Sequence, residues 1–172
     1  AGLVKVASVS RCIDTVSVLA PEATYTELDS DSNGFMAFTE SNRIKLLEEM
    51  KRATAVVIGS GMGVTKDTTE ILRFVVENSF CPIIIDADGI NFLARNKDVL
   101  RDAKLNAVFT PHPGEFGRLL NMDTDKINSD RVNLAVNFSR YHRCTLVLKG
   151  KNTIVATNGE QVFVNDTGCS AL

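Results

Sequence analysis

No excess of either charge marks this sequence. Its 19 lysines and arginines are set against 21 aspartates and glutamates, a formal net charge of −2. That balance offers neither a nucleic-acid surface nor a polybasic membrane patch. No apolar run approaches the roughly 20 residues that a bilayer-spanning helix needs, and the opening AGLVKVASVS is too short and too alternating for a signal peptide. The 4 cysteines, Cys12, Cys81, Cys144 and Cys169, include no CxxC pair, so zinc-ribbon and dithiol readings have no support. Free thiols in a reducing, cytoplasmic compartment are expected. GxSxG and HExxH are absent as well, which removes serine-hydrolase and zincin readings. There are no repeats and no low-complexity segments.

What is present is a globular composition, 44% apolar and 23% charged over 172 residues, suited to one domain with a sizeable core. Residues 1–172 are expected to form a single domain, and an incomplete one. Ala1-Gly2 leads straight into a strand-like run, and the other end, Asn165-Asp166-Thr167-Gly168-Cys169-Ser170, reads as a loop.

Short apolar runs alternate with segments of helical period. Strands are expected at Leu3–Val9, Ala55–Ile58 (buried), Ile83–Ile85, Ala107–Phe109 and Thr145–Leu148. Helices are expected at Cys12–Leu19, Arg43–Lys51, Asp67–Asn78, Ile90–Ala94, Val99–Leu100, Glu115–Leu120 and Arg131–Tyr141. Ser41 is a candidate cap for the second helix, with Ile44, Leu47 and Met50 on its inward face. Pro21–Asn33 reads as loop. Asn152–Ala156 and Gln161–Val164, joined by Thr157-Asn158-Gly159-Glu160, read as a hairpin. The alternation predicts an α/β fold with a mostly parallel sheet covered on both faces and an antiparallel hairpin at one edge.

Polar or glycine-rich motifs follow four of these strands directly: Gly59-Ser60-Gly61-Met62-Gly63, Asp86-Ala87-Asp88-Gly89, Thr110-Pro111-His112-Pro113-Gly114-Glu115 and Lys149-Gly150-Lys151-Asn152-Thr153. Ligands of open α/β sheets bind outside the carboxyl ends of the strands, so parallel strands would gather all four motifs on one edge. The glycine loop lets backbone approach a ligand, and its amides favour anions. Its GxGxG spacing is neither the Rossmann fingerprint nor a Walker loop, and a tight turn is the plainer reading. Asp86 and Asp88 could bind a metal or simply anchor the loop, with Asn91 facing the same cleft. His112, between two prolines, is either a rigidly held ligand contact or part of a stiff surface turn. His142, beside Tyr141 at a helix end, reads as structural or solvated. Lys149 and Lys151 offer point charges suited to phosphate, with Thr153 adding a hydroxyl, or simply mark an exposed strand end.

At these motifs the sequence resembles the NAD(P)H-hydrate dehydratase family, a branch of the ribokinase-like superfamily. AGLVKVA, VIGSGMG, IIIDADGINFLA, FTPHPGEFGRLL and LVLKGKNTIVA match family segments in order along nearly the whole chain, and the TPHPGE run is the most specific of them. Asn165 and Gly168 fit the start of an N-x-x-G loop. The resemblance implies a three-layer α/β/α sandwich. It further implies an ATP- or ADP-dependent dehydration of (6S)-NADHX or NADPHX back to NADH or NADPH, through phosphorylation of the substrate hydroxyl and elimination of phosphate, with Mg2+ accompanying the nucleotide. Gly61, Gly63, His112, Asp88 and Asn91 would then line the hydrated cofactor. Lys149, Gly150, Lys151, Asn152 and Thr153 would lie along the nucleotide, and Asp86 would shape the cleft floor. No metal ligand set is expected among these residues. The resemblance also implies a homo-oligomer, tetrameric in bacterial relatives.

Ser60 and Met62 stand where the family has Pro and Leu. The family's G-(T/S)-G-D segment, source of the catalytic aspartate, would come after Leu172, so residues 1–172 alone are expected to be inactive. Two other readings stay open: a ribokinase-like kinase of small vitamins or sugars, and a noncatalytic nucleotide-binding module.

Overall fold

The computed structural model describes residues 2–102, 107–158 and 161–167. Eight strands occur among them: β1 (Lys5–Val9), β2 (Thr24–Leu28), β3 (Val56–Ile58), β4 (Ile83–Ile85), β5 (Ala107–Phe109), β6 (Thr145–Leu148), β7 (Thr153–Thr157) and β8 (Gln161–Asn165). Helices α1 (Ser10–Leu19), α2 (Glu40–Arg52), α3 (Lys66–Asn78), α4 (Asp88–Arg95), α5 (Lys97–Asp102), α6 (Pro113–Leu120), α7 (Thr124–Ser129) and α8 (Arg131–His142) connect them.

Strands β3 to β8 form one six-stranded sheet in sequence order, parallel from β3 to β6 and antiparallel from β6 to β8. Parallel strands laid down in order, with crossovers of the usual right hand, put their connecting helices on a common face. The burial alternation follows. Ile83, Ile85, Ala107, Phe109, Leu146, Leu148, Ile154 and Ala156 are buried in one cluster with Leu72, Phe92, Phe116 and Phe138 of the helices. The residues between them, Ile84, Val108, Val147 and Val155, are only half-buried on the other face. Phe138 anchors this core, meeting Phe109 at 5.8 Å and Phe116 at 5.4 Å, both edge-on.

A second sheet pairs β1 with β2 in parallel. Leu28, Leu46, Met50, Ile71 and Val75 form a smaller core where β2, α2 and α3 meet, and Val56 and Ile58 are packed against both clusters. Strand β2 corrects the reading of Pro21–Asn33 as loop. Thr24, Tyr25 and Thr26 have strand propensity, but the segment is polar and becomes a strand through pairing with β1 rather than through an apolar run.

Three other expectations change. Helix α2 is capped by Thr39, whose side chain accepts from Asn42 N, not by Ser41. Asn42, Leu46 and Met50 are buried on its inward face and Leu47 packs against the smaller core as expected, but Ile44 is 51% exposed. Asn42 is fully buried because its amide is satisfied: Nδ2 donates to Asp29 O and Ala37 O, and Oδ1 accepts from Asp29 N. Strand β3 is not buried: it ends the six-stranded sheet, and Val57 is 68% exposed. Helix α7, anchored by buried Ile127, was not expected; Thr124–Ser129 is too short and polar to show a period.

His142 packs its ring 4.4 Å from that of Phe138, and burial, aided by Lys97, lowers its pKa. Cys12, Cys81 and Cys144 are free thiols, and burial pushes Cys144 up to about 12. Cys169, Gly168, and Gly159 and Glu160 of the hairpin turn lie outside the described residues. Among the described residues no helix is long and apolar enough to cross a membrane.

The assignment of the α2 cap is open to test by urea denaturation. Thr39→Ala is expected to lower stability by about 1 kcal/mol, whereas Ser41→Ala should stay within about 0.5 kcal/mol of the parent.

Candidate functional site

Because β3, β4, β5 and β6 are parallel, the loops that follow them emerge on the same edge of the sheet. Backbone hydrogen bonds stitch the edge together. Asp86 N donates to Ile58 O at 3.1 Å, Thr110 N to Ile85 O at 3.2 Å and Lys149 N to Pro111 O at 2.8 Å. The His112 loop and the Lys149 loop are therefore direct neighbours.

Asp86 lies at the centre. Its Oδ1 accepts from Lys149 Nζ at 2.7 Å and from Thr110 Oγ1 at 2.8 Å, and Ser60 Oγ lies 3.4 Å from Oδ2. Burial alone would raise its pKa. The hydrogen bonds from Lys149 and Thr110, with the lysine charge, outweigh that and hold the carboxyl below its usual value. Residue 87 then takes an uncommon backbone conformation, φ 46 and ψ −114, for a non-glycine residue. Such positions persist only where the surroundings enforce them.

The glycine loop is held from the same side. Gly59 has φ +117, and a Cβ there would stand 2.0 Å from Asp86 O and 2.7 Å from Gly89 N. Only glycine allows this approach of the two loops. Gly63 N donates to Asp88 Oδ2 at 2.8 Å, so Asp88 anchors the loop. Gly61, at φ +68, faces open space. Thr65 caps α3 just beyond, in a reciprocal capping box with Thr68, whose hydroxyl also donates to Gly63 O. A helix N-terminus and a glycine turn thus sit together, an arrangement that favours anionic groups.

His112 is the N-cap of α6. Its Nδ1 accepts from Gly114 N at 3.0 Å and Glu115 N at 3.3 Å, while Glu115 Oε2 accepts from His112 N at 2.9 Å. With Nδ1 accepting, the ring proton is on Nε2, 3.3 Å from Glu115 Oε1. Glu115 is buried, and the imidazole is half-exposed at the rim. Asn91 is fixed by Arg118, whose Nε donates to its Oδ1 at 2.8 Å.

The Lys149 loop turns through Gly150 at φ +132 and Asn152 at φ +57. Thr153 Oγ1 donates to Gly150 O at 3.0 Å. Lys151 and Asn152 are exposed. Sequence reasoning missed several residues that hold this edge: Thr110 and Ser60 as partners of Asp86, Arg118, and Arg131, which grips the Lys149 loop from beneath. Arg131 did carry a signal, since a cation in the first turn of a helix opposes the macrodipole. Among the described residues no group of three or more His, Cys, Asp or Glu side chains is arranged to hold a metal ion.

The architecture is that of a ribokinase-like α/β protein. It matches a ribokinase-like superfamily protein of Enterococcus faecalis with TM-score 0.77 at 23% identity, covering 96% of this chain and 53% of that one. An ADP/ATP-dependent NAD(P)H-hydrate dehydratase of Bacillus subtilis, co-crystallised with ATP/Mg2+, matches with TM-score 0.73 at 22% identity, over 98% of this chain and 56% of that one. A profile of the NAD(P)H-hydrate dehydratase family matches residues 1–172, and the chain belongs to that family. The bifunctional NAD(P)H-hydrate repair enzyme of Escherichia coli is 36% identical over 98% of this chain and 29% of its own length. That of Thermofilum pendens is 28% identical over 97% of this chain and 32% of its own length. The chain thus spans about a third of these curated relatives.

Two tests follow from the geometry. Gly59→Ala is expected to destabilise the protein by on the order of 3 kcal/mol or more, since strain and a backbone clash combine; thermal unfolding reads it. Because the Asp86 pKa is depressed in the folded state, its stabilising effect is complete above the unfolded value of about 3.9 and is lost as pH falls through the lower, folded value. Stability of the parent should therefore drop more steeply below about pH 4 than that of Asp86→Asn. Equal acid limbs in the two proteins would contradict the contact.

Proposed function

We propose that the protein containing this chain dehydrates (6S)-NADHX and NADPHX back to NADH and NADPH at the expense of ATP or ADP, with the carboxyl edge of the six-stranded sheet as the shared cleft. The observation that carries the reading is the meeting of the Lys149 loop and the His112 loop on one edge, tied through Asp86. Family membership supports the same reaction. So does a Neisseria meningitidis relative, an ADP-dependent (S)-NAD(P)H-hydrate dehydratase 31% identical over 73% of this chain and 44% of its own length.

In this reading the nucleotide phosphates lie along Lys149, Gly150, Lys151, Asn152 and Thr153, where an ammonium group and a hydroxyl are available. The hydrated cofactor lies toward Gly61, Gly63, Asp88, Asn91 and His112. The γ-phosphoryl of ATP, or the β-phosphoryl of ADP, passes to the substrate hydroxyl as the terminal P–O bond breaks, leaving ADP or AMP, and the hydroxyl proton is lost to solvent. Cleavage of the C–O bond then releases phosphate, and loss of a proton restores the dihydropyridine. Mg2+ would take its ligands mainly from phosphates and water, since the Asp86 carboxylate is already paired with Lys149 and Thr110. Lys149 contributes positive charge toward the phosphates, and the Asp86 contact keeps its side chain directed into the edge rather than into bulk water. The Cys12, Cys81 and Cys144 thiols, all unpaired, suit a cytoplasmic setting. The homo-oligomer implied by the family resemblance completes the reading.

The test is incubation of the intact protein with NADHX and ADP or ATP. Return of the near-ultraviolet NADH absorbance with stoichiometric phosphate release is expected. A stable phosphorylated product with no NADH would instead mean a kinase, and tight nucleotide binding without turnover a binding module. Lys149→Ala is expected to weaken nucleotide binding by about 10- to 100-fold, the loss of a charge-assisted hydrogen bond, as measured by calorimetry.

A further inference from the structure

Arg131 occupies the first position of α8, where a cation opposes the helix dipole at a cost of about 0.3–1 kcal/mol. Its guanidinium is committed elsewhere. Nη1 donates to Lys151 O at 2.9 Å, and Nη2 donates to Leu148 O at 3.1 Å and Lys149 O at 3.2 Å. The planar fork thus gathers carbonyls from the last residue of β6 through the turn that follows. A Cβ on Gly150 would stand 3.1 Å from Nη1 at a backbone φ of +132, so the turn is wrapped closely round the guanidinium. Nε is buried and has no hydrogen-bond partner among the described residues. Burial lowers the pKa of Arg131, yet an arginine stays charged. A half-buried cation at the unfavourable end of a helix is accounted for by the loop it holds.

We propose that Arg131 is a positioning residue for the nucleotide loop: by turning the carbonyls of Leu148, Lys149 and Lys151 onto its guanidinium, it leaves the Lys149 ammonium and the Thr153 segment facing the cleft. The inference rests on the nucleotide reading of that loop and deepens it. Arg131 itself touches no reacting atom. A lysine at this position carries the charge but not the fork, and a point charge cannot span carbonyls on either side of Gly150.

The experiment compares the intact parent with Arg131→Lys in two measurements. Amide hydrogen exchange without nucleotide is expected to quicken at Lys149–Thr153 in the variant and to stay unchanged in the β3–β5 core. In steady-state assays KM for the nucleotide should rise about 10-fold, the loss of part of a charge-assisted set, while kcat and KM for NADHX change little. Arg131→Gln, which keeps an amide donor but not the fork, should give the same split and serves if Arg131→Lys does not fold. Unaltered loop exchange in a folded variant overturns the proposal. So does an equal rise in both KM values with faster exchange throughout, which marks a merely structural role. If the parent binds no adenine nucleotide, the nucleotide reading fails, while the exchange comparison, which needs none, still decides whether Arg131 fixes the loop.

Discussion

Asp86 ends an all-isoleucine strand as a carboxylate that must find partners, and three neighbouring loops supply them. Lys149 arrives from the end of β6, Thr110 from the end of β5 and Ser60 from the end of β3. A carboxylate partly removed from water is stable only when hydrogen-bonded and charge-paired. Meeting that requirement draws loops that are 26, 24 and 63 residues away in sequence to one point on the sheet edge. The close backbone approach at Gly59 and the unusual conformation of Ala87 are the local consequences. The rim keeps its shape only while these three loops stay in register with Asp86.

Several polar residues of this edge hold the loops in place. His112 caps α6, Asp88 accepts from the glycine loop, and Asn91 is gripped by Arg118. Structural employment does not remove them from a ligand's reach. A group whose rotamer is locked by such bonds is better preorganised than one free in solvent. The half-exposed imidazole of His112, steered by buried Glu115, shows how a rigid cap also leaves a polar face on the rim of the sheet edge.

The strands that carry the site were legible because they are dense in isoleucine, valine and leucine and each runs into a distinct polar motif. Their parallel order followed from alternation with helical segments, and the gathering of four motifs on one edge followed from that order. Strand β2 was not legible, because Thr24–Leu28 gains its strand character from β1 and not from its own hydrophobicity. The cap of α2 was misplaced by two residues, Ser41 for Thr39, since both are good caps and only the chain path chooses between them. The partners of Asp86 were invisible in the same way: Ser60, Thr110 and Lys149 were seen in their motifs, but pairing across strands is a property of register. Arg131 alone had a sequence signal, its charge at the wrong end of a helix, and that signal is weak without coordinates.

If Asp86 ties the edge together, its contact with Lys149 must be energetic and not merely proximal. A double-mutant cycle on folding stability with Asp86→Ala, Lys149→Ala and the pair addresses this directly at neutral pH. A coupling of at least about 0.5 kcal/mol is expected, the range of residues in one hydrogen-bonded network. Additive effects, with no coupling beyond experimental error, would contradict the central role of Asp86.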